Sequence, residues 1–306
     1  MSDEIGFIGL GNMGGRMTSR LVEKGRPVIG YDVRAGLAEK LGARPASSVA
    51  EVAEEADVVL LSLPDSHVVE AVTGGADGLI AHSRAGQVVV DLSTAAPAST
   101  QAIHAELAAK GVAYLDAGIS GGAAAADKGT LTLMVGGEAE VLEQVRPVLD
   151  SFSAQIFYCG ASGSGHTAKV LNNFLNGVTL AATAEVMVTG KKAGLDLEML
   201  LAVINASSGV SFASLNRFPK IIHGDYLKGG LSNALMMKDV TLYADLAASL
   251  GVTSLNASGP LASFGLALGL GYADEISNTV VDAIGDVSGG VRLHEAGTDT
   301  ADKAES

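Results

Sequence analysis

Residues 5–32 read IGFIGLGNMGGRMTSRLVEKGRPVIGYD, and the spacing inside this stretch decides the fold. Ile5-Gly6-Phe7-Ile8 is a short apolar run that suits a buried strand. Gly9-Leu10-Gly11-Asn12-Met13-Gly14 follows at once, and Met13, Met17 and Leu21 then recur at helical spacing until Gly25. Pro27 to Asp32 reads as a second strand. A strand, a G-x-G-x-x-G turn, a helix and an acid 18 positions after the third glycine form a dinucleotide fingerprint. Gly9 permits the tight turn, Gly11 lets a pyrophosphate approach the backbone, and Gly14 lets the helix pack on the strand. The helix N-terminus then offers N–H groups to the phosphates, with Leu10, Asn12 and Met13 completing the turn. Asp32 can accept hydrogen bonds from both ribose hydroxyls and would repel a 2′-phosphate, which favours NAD. Arg34, two residues on, could pair with that phosphate and leaves NADP open.

Strand and helix signals keep alternating outward from this stretch. Val58–Leu63 and Val88–Leu92 are apolar runs, and helices are expected over 48–56, 67–73 and 97–110. Strands apolar on both faces predict a doubly wound, mostly parallel sheet of the Rossmann type. Ligands of such sheets sit beyond the carboxyl ends of the strands. Leu63-Pro64 and Ser93-Thr94 occupy those ends, so Leu63, Pro64 and Thr94 are candidates to contact the nicotinamide half. Strands over 112–117 and 131–135 flank Gly118-Ile119-Ser120-Gly121-Gly122, whose backbone N–H groups and Ser120 hydroxyl can nest a carboxylate. The same residues match G-x-S-x-G, the nucleophile elbow of hydrolases, but a short pattern in a chain with 39 glycines carries little weight. A helix over 139–149 and a strand over 156–159 end the alternation.

From residue 164 the pattern is helical throughout. The first helix, 163–194, joins the two halves; Val170, Phe174 and Val178 share one face, which Leu171 and Leu175 widen. Lys169, Asn172, Asn173 and Asn176 form a polar stripe at i, i+3, i+4 and i+7. Further helices are expected over 197–205, 212–216, 231–250, 255–269 and 273–284. The expected organisation is a dinucleotide-binding domain over 1–163, an all-α domain over 164–294 and a disordered tail over 295–306.

Composition narrows the partners. A formal charge of −14 argues against nucleic acid and anionic membrane surfaces. No apolar run is long enough for a membrane span, and Cys159 stands alone, so neither a disulfide framework nor a thiolate metal cluster is expected. The six histidines show no metal-ligand spacing. A reduced, cytoplasmic setting is the expectation.

Four motifs in order resemble the β-hydroxyacid dehydrogenase family, which includes 3-hydroxyisobutyrate dehydrogenases and tartronate semialdehyde reductases. They are Gly9 to Met17, like GLGxMGxxM; Asp116 to Gly122 with Gly129-Thr130-Leu131, like DAPVSGG…GTL; Gly163 to Asn173, like GxGxxxKxxNN; and Lys238-Asp239. Gly118 and Ile119 stand where that family commonly has Pro and Val, and Leu231 where it has Phe. The resemblance implies a Rossmann domain plus a helical domain, with the active site between them. By motif position Lys169 is the catalytic lysine, Ser120, Gly121 and Gly122 hold a substrate carboxylate, and Asn173 orients the substrate. Thr94 meets the nicotinamide ribose and Lys238 closes on the cofactor. The resemblance further implies a small carboxylate-bearing substrate and a homodimer or homotetramer. The alternatives are an imine or ketone reductase on the same scaffold, although imine reductases usually replace the lysine that Lys169 retains, and a dinucleotide-binding protein without turnover, against which Lys169, Ser120 and Asn173 together weigh.

In such chemistry Lys169 is the general base of oxidation and the general acid of reduction. Side chains for the far end of the substrate would come from residues 207–218. Asn216 and Arg217 read there as surface groups, the competing reading being contact with a polar or anionic tail such as a sulfonate or second carboxylate.

Overall fold

The computed structural model describes residues 4–294; the tail expected from residue 295 lies outside them. The chain divides into two compact units that part between Leu171 and Asn172. In the first, the elements run β1 (Ile5–Ile8), α1 (Asn12–Glu23), β2 (Val28–Tyr31), α2 (Leu37–Lys40), β3 (Arg44–Pro45), α3 (Val49–Glu55) and β4 (Val58–Leu61). They continue with α4 (Ser66–Gly74), α5 (Leu79–His82), β5 (Val88–Asp91), α6 (Pro97–Ala108), β6 (Ala113–Ser120), α7 (Gly122–Lys128), β7 (Leu131–Gly136), α8 (Ala139–Leu149) and β8 (Ser153–Gly160).

The eight strands form one sheet in the order β3-β2-β1-β4-β5-β6-β7-β8. All neighbours pair in parallel except β6 and β7. Strand order reverses direction between β1 and β4, which puts the ligand crevice of a doubly wound sheet beside the turn after β1. Successive strand residues feed opposite cores. Phe7, Leu60, Val90 and Leu115 join one cluster, while Ile8, Val59, Leu61, Val89 and Tyr114 join the other. Each fully buried Leu or Ile contributes about 2 kcal/mol, so the continuous apolar runs are what a sheet covered on both faces requires.

Helix α9 (Ser164–Lys192) starts in the first unit and carries the chain into the second. The second unit continues with α10 (Leu197–Asn205), α11 (Phe212–Asn216), α12 (Phe218–Ile221), α13 (Asn233–Ser249), α14 (Ser258–Gly269) and α15 (Val280–Val287). Its core includes Leu180, Met187, Phe218, Met236, Val240, Phe264 and Val280.

Three expectations change. Gly118 to Ser120 are not a loop but the end of β6, laddered against Thr132 to Met134. Leu171 and Leu175 do not widen the buried face of α9: they are 45% and 62% exposed. Residues 273–276 are not helical, because Ser232 bridges Ile276 and Asn233 donates its N–H to Glu275 O at 2.9 Å. The short elements α2, β3, α5, α7 and α12 lie in stretches with no expected element.

Candidate active site

The turn after β1 is shaped by what glycine lacks. A Cβ on Gly14 would stand 1.8 Å from Gly9 O, so only glycine lets α1 seat this closely. A Cβ on Gly9 would stand 2.3 Å from Ser62 O, which presses the turn onto the end of β4. Gly11 is the N-cap of α1, no side chain caps that end, and its first turn holds no acid. An uncapped helix N-terminus free of carboxylates suits a bound pyrophosphate, so the residues present fit a dinucleotide.

Asp32 ends beside this turn. Its Oδ2 accepts the Leu10 N–H at 2.8 Å, and its Oδ1 accepts the Arg34 N–H at 2.9 Å and Nε–H at 3.0 Å. Burial pushes the Asp32 carboxyl up, but the hydrogen bonds from Arg34 and Leu10 and the Arg34 charge outweigh it. The group is held below its usual range. Arg34 is therefore committed to Asp32 in this arrangement.

Beyond β4 and β5 the two loops are tied together. Leu63 N–H donates to Ser93 Oγ at 2.9 Å, and Ser93 N–H donates to Asp91 Oδ1 at 2.9 Å. Pro64 is exposed and Thr94 half-buried on these loops. The first unit thus brings Gly9 to Gly14, Asp32, Leu63 and Ser93-Thr94 to one edge of the sheet.

A fully buried polar network continues from that edge. Tyr114 donates its hydroxyl to Asp91 Oδ2 at 3.0 Å, and burial with the Asp91 charge pushes the phenol well above its ordinary value. The His166 ring sets Nδ1 2.7 Å from Thr100 Oγ1 and Nε2 3.2 Å from Asp91 O. A carbonyl only accepts, so Nε2 carries a proton. Asp116 accepts the N–H groups of Gly163 and His166, each at 2.8 Å. These are orphan donors of the α9 N-terminus, and a carboxylate there also complements the helix dipole.

Lys169 follows His166 by three residues and is 8% exposed. Its stem packs on Gly118, where a Cβ would stand 2.4 Å from Lys169 Cβ and 2.8 Å from Cγ. Side chains two apart on a strand share a face, so Ser120 stands on the face that carries Lys169. Gly121 and Gly122 have φ of +124° and +67° and open α7. The backbone of Gly118 to Ser120 is laddered against Thr132 to Met134, whereas Gly121 and Gly122 lie beyond the ladder.

In the second unit, Asn173 Nδ2 donates to Asp239 Oδ2 at 2.5 Å, and Lys238 Nζ stands 3.2 Å from Asp239 Oδ1. Asp239 is buried and makes no hydrogen bond through Oδ1, so the lysine meets it as a charge rather than as an aligned donor. Asn176 accepts from Arg217 at 3.0 Å. Asn172 is exposed, and Asn216 is exposed and donates its Nδ2 to Phe212 O at 3.2 Å.

Sequence reasoning did not single out Asp91, Asp116 and His166, which form the buried network of the first unit, nor Asp239, which holds Asn173 in the second. For Asp116, His166 and Asp239 the signal was their place inside the quoted motifs. Asp91 had none beyond being an acid at the end of an apolar strand.

A doubly wound sheet with this glycine turn at its switch point defines a dinucleotide-dependent protein. The family model described as the NAD binding domain of 6-phosphogluconate dehydrogenase matches residues 4–160. That described as NAD-binding of NADP-dependent 3-hydroxyisobutyrate dehydrogenase matches residues 163–274. The chain is 38% identical to mitochondrial 3-hydroxyisobutyrate dehydrogenase of Mus musculus over 254 residues, 80% of this chain and 76% of that one. It is 38% identical to NAD-dependent L-serine dehydrogenase of Pseudomonas aeruginosa over 281 residues, 89% of this chain and 94% of that one. The solved 3-hydroxyisobutyrate dehydrogenase of Mycobacterium tuberculosis with L-serine superposes with a TM-score of 0.84 at 33% identity, covering 93% of this chain and 99% of that one. The chain belongs to the β-hydroxyacid dehydrogenase family and is an oxidoreductase that uses a nicotinamide dinucleotide.

Proposed function

We propose that the protein oxidises short β-hydroxy acids of the 3-hydroxyisobutyrate kind, and reduces the matching semialdehydes, with NAD preferred. The relatives' named substrates, 3-hydroxyisobutyrate and L-serine, share one unit: a hydroxymethyl group on the carbon that bears the carboxylate. The observation that carries the reading is Lys169, buried on Gly118 one helical turn before Asn173. The dinucleotide, when bound through Gly9 to Gly14, Asp32, Leu63, Pro64, Thr94 and Lys238, supplies hydride acceptance and return.

The remaining work falls to side chains. Ser120, Gly121 and Gly122 hold the carboxylate, Asn173 orients the substrate, and Lys169 takes the hydroxyl proton in oxidation and returns it in reduction. Asp239 holds Asn173 from behind. Exposed Leu171, Leu175 and Val186 on α9 and Met199 and Val203 on α10 supply apolar surface for a homodimer or homotetramer. A spectrophotometric screen of short hydroxy acids and semialdehydes with both cofactors tests the reading. Turnover confined to other substrate classes would overturn it.

A further inference from the structure

Arg217 connects α11 to α12 and is held entirely by neutral groups. Its Nη1 donates to Asn278 Oδ1 and its Nη2 to Asn176 Oδ1, both at 3.0 Å, and its guanidinium carbon stands 5.8 Å from the Phe212 ring centroid. The Asn278 amide is fixed by its own donation to Tyr226 O at 2.9 Å, so its oxygen is aimed at the arginine. Among the described residues no carboxylate reaches Arg217. Burial alone pushes it down, to about 10, and leaves it a cation at neutral pH. Most other arginines behave differently: Arg34, Arg44, Arg84, Arg146 and Arg292 pair with carboxylates, whereas Arg26, bonded to Ser151 Oγ and Pro147 O, lies in the first unit. In a chain of formal charge −14, a half-buried guanidinium left to two amides is conspicuous.

Its position gives the cation a use. Lys169, Asn173 and Asn176 fall at i, i+4 and i+7 on α9 and share one face. Asn176, which grips the guanidinium, therefore stands about 10 Å along the helix axis from Lys169. A guanidinium has five donors, and the amides take two of them. The free part of that fork matches a carboxylate bidentately.

We propose that Arg217 is a specificity-determining residue that pairs with a second carboxylate on the substrate, so that the preferred substrate is a dianionic β-hydroxy acid. The inference rests on the β-hydroxy acid reading above and deepens it. Asn176 and Asn278 pre-set the fork, and Phe212 covers one face of it. The monoanionic acid is a substrate that leaves the fork to water.

The test compares kcat/KM for 3-hydroxyisobutyrate, 2-(hydroxymethyl)glutarate and 2-(hydroxymethyl)pentanoate, which share the reacting unit and differ in the distal group. The wild-type protein is expected to favour the glutarate over both others by at least about tenfold, chiefly through KM, since a bond to a charged group carries this much discrimination. In Arg217→Gln the ratio of glutarate to pentanoate falls to about one; Arg217→Lys, a charge without the fork, is intermediate. A wild-type protein with no preference for the glutarate overturns the proposal, as does a Gln variant that loses both substrates equally, since that marks a structural staple. If the Gln variant does not fold, the wild-type preference decides alone. Absence of turnover on all three acids with either cofactor removes the β-hydroxy acid reading itself and this proposal with it, whereas turnover of the monoanions alone removes only the proposal.

Discussion

The buried carboxylate of Asp116 accepts the backbone N–H of His166, fifty positions along the chain, at 2.8 Å, so a strand residue caps the first turn of α9. The same carboxylate accepts Gly163 N–H at 2.8 Å. Asp116→Ala leaves two buried donors unpaired, each costing about 1–3 kcal/mol, and should lower the thermal midpoint by roughly 5–15 °C. Asp116→Asn keeps the shape and one acceptor and should lose less. Differential scanning calorimetry checks this; an Ala variant as stable as wild type would show that the cap contributes nothing.

Gly118 sets where the Lys169 stem lies. A methyl group there would stand 2.4 Å from Lys169 Cβ, a near-backbone atom that cannot swing aside. Gly118→Ala should therefore displace the lysine by about 1 Å and lower kcat by roughly 100-fold. NADH affinity, which Gly118 does not serve, should stay within about twofold by fluorescence titration. An Ala variant with wild-type kcat would mean that the stem position is unimportant.

Lys169 itself separates binding from proton transfer. Lys169→Ala should bind NADH and yet lose about 10²–10⁴ in kcat, the usual share of a positioned acid–base group. Near-normal turnover would remove the assignment.

How much of this was legible depended on how far apart the partners sit in sequence. The turn from Gly9 to Gly14, Asp32 and the apolar strands are local patterns, and the expected strands over 5–8, 58–63 and 88–92 match β1, β4 and β5 to within two residues. The reversal between β6 and β7 was not legible, because strand direction leaves no mark on an apolar run. Nor was the Asp91–His166–Asp116 network, whose members meet across 50 to 75 residues. Lys169 could be picked from its motif, but not that Gly118 is its seat. Leu171 and Leu175 misled because an apolar residue on a helix reads as core from periodicity alone. Arg217 and Asn216 are adjacent and read alike in sequence, yet only Arg217 turns inward, onto Asn176 and Asn278.

Asp32 governs both cofactor choice and its pH dependence. Its carboxyl is held below the usual carboxylate range despite burial, because Arg34 and the Leu10 N–H stabilise the charged form. A depressed folded-state value means that its contribution is fully present above the ordinary carboxylate range and fades as pH falls through the lower folded value. The dissociation constant for NADH should therefore be flat from about pH 8 to pH 5 and rise only below about pH 4. Replacing the carboxylate removes the group that repels a 2′-phosphate and releases Arg34, now held at 3.0 Å, to meet one. Asp32→Ser should accordingly shift the NADP-to-NAD ratio of kcat/KM by about 100-fold or more toward NADP. Adding Arg34→Ala should return most of that shift. If the single Ser variant keeps the wild-type ratio, cofactor choice does not rest on Asp32.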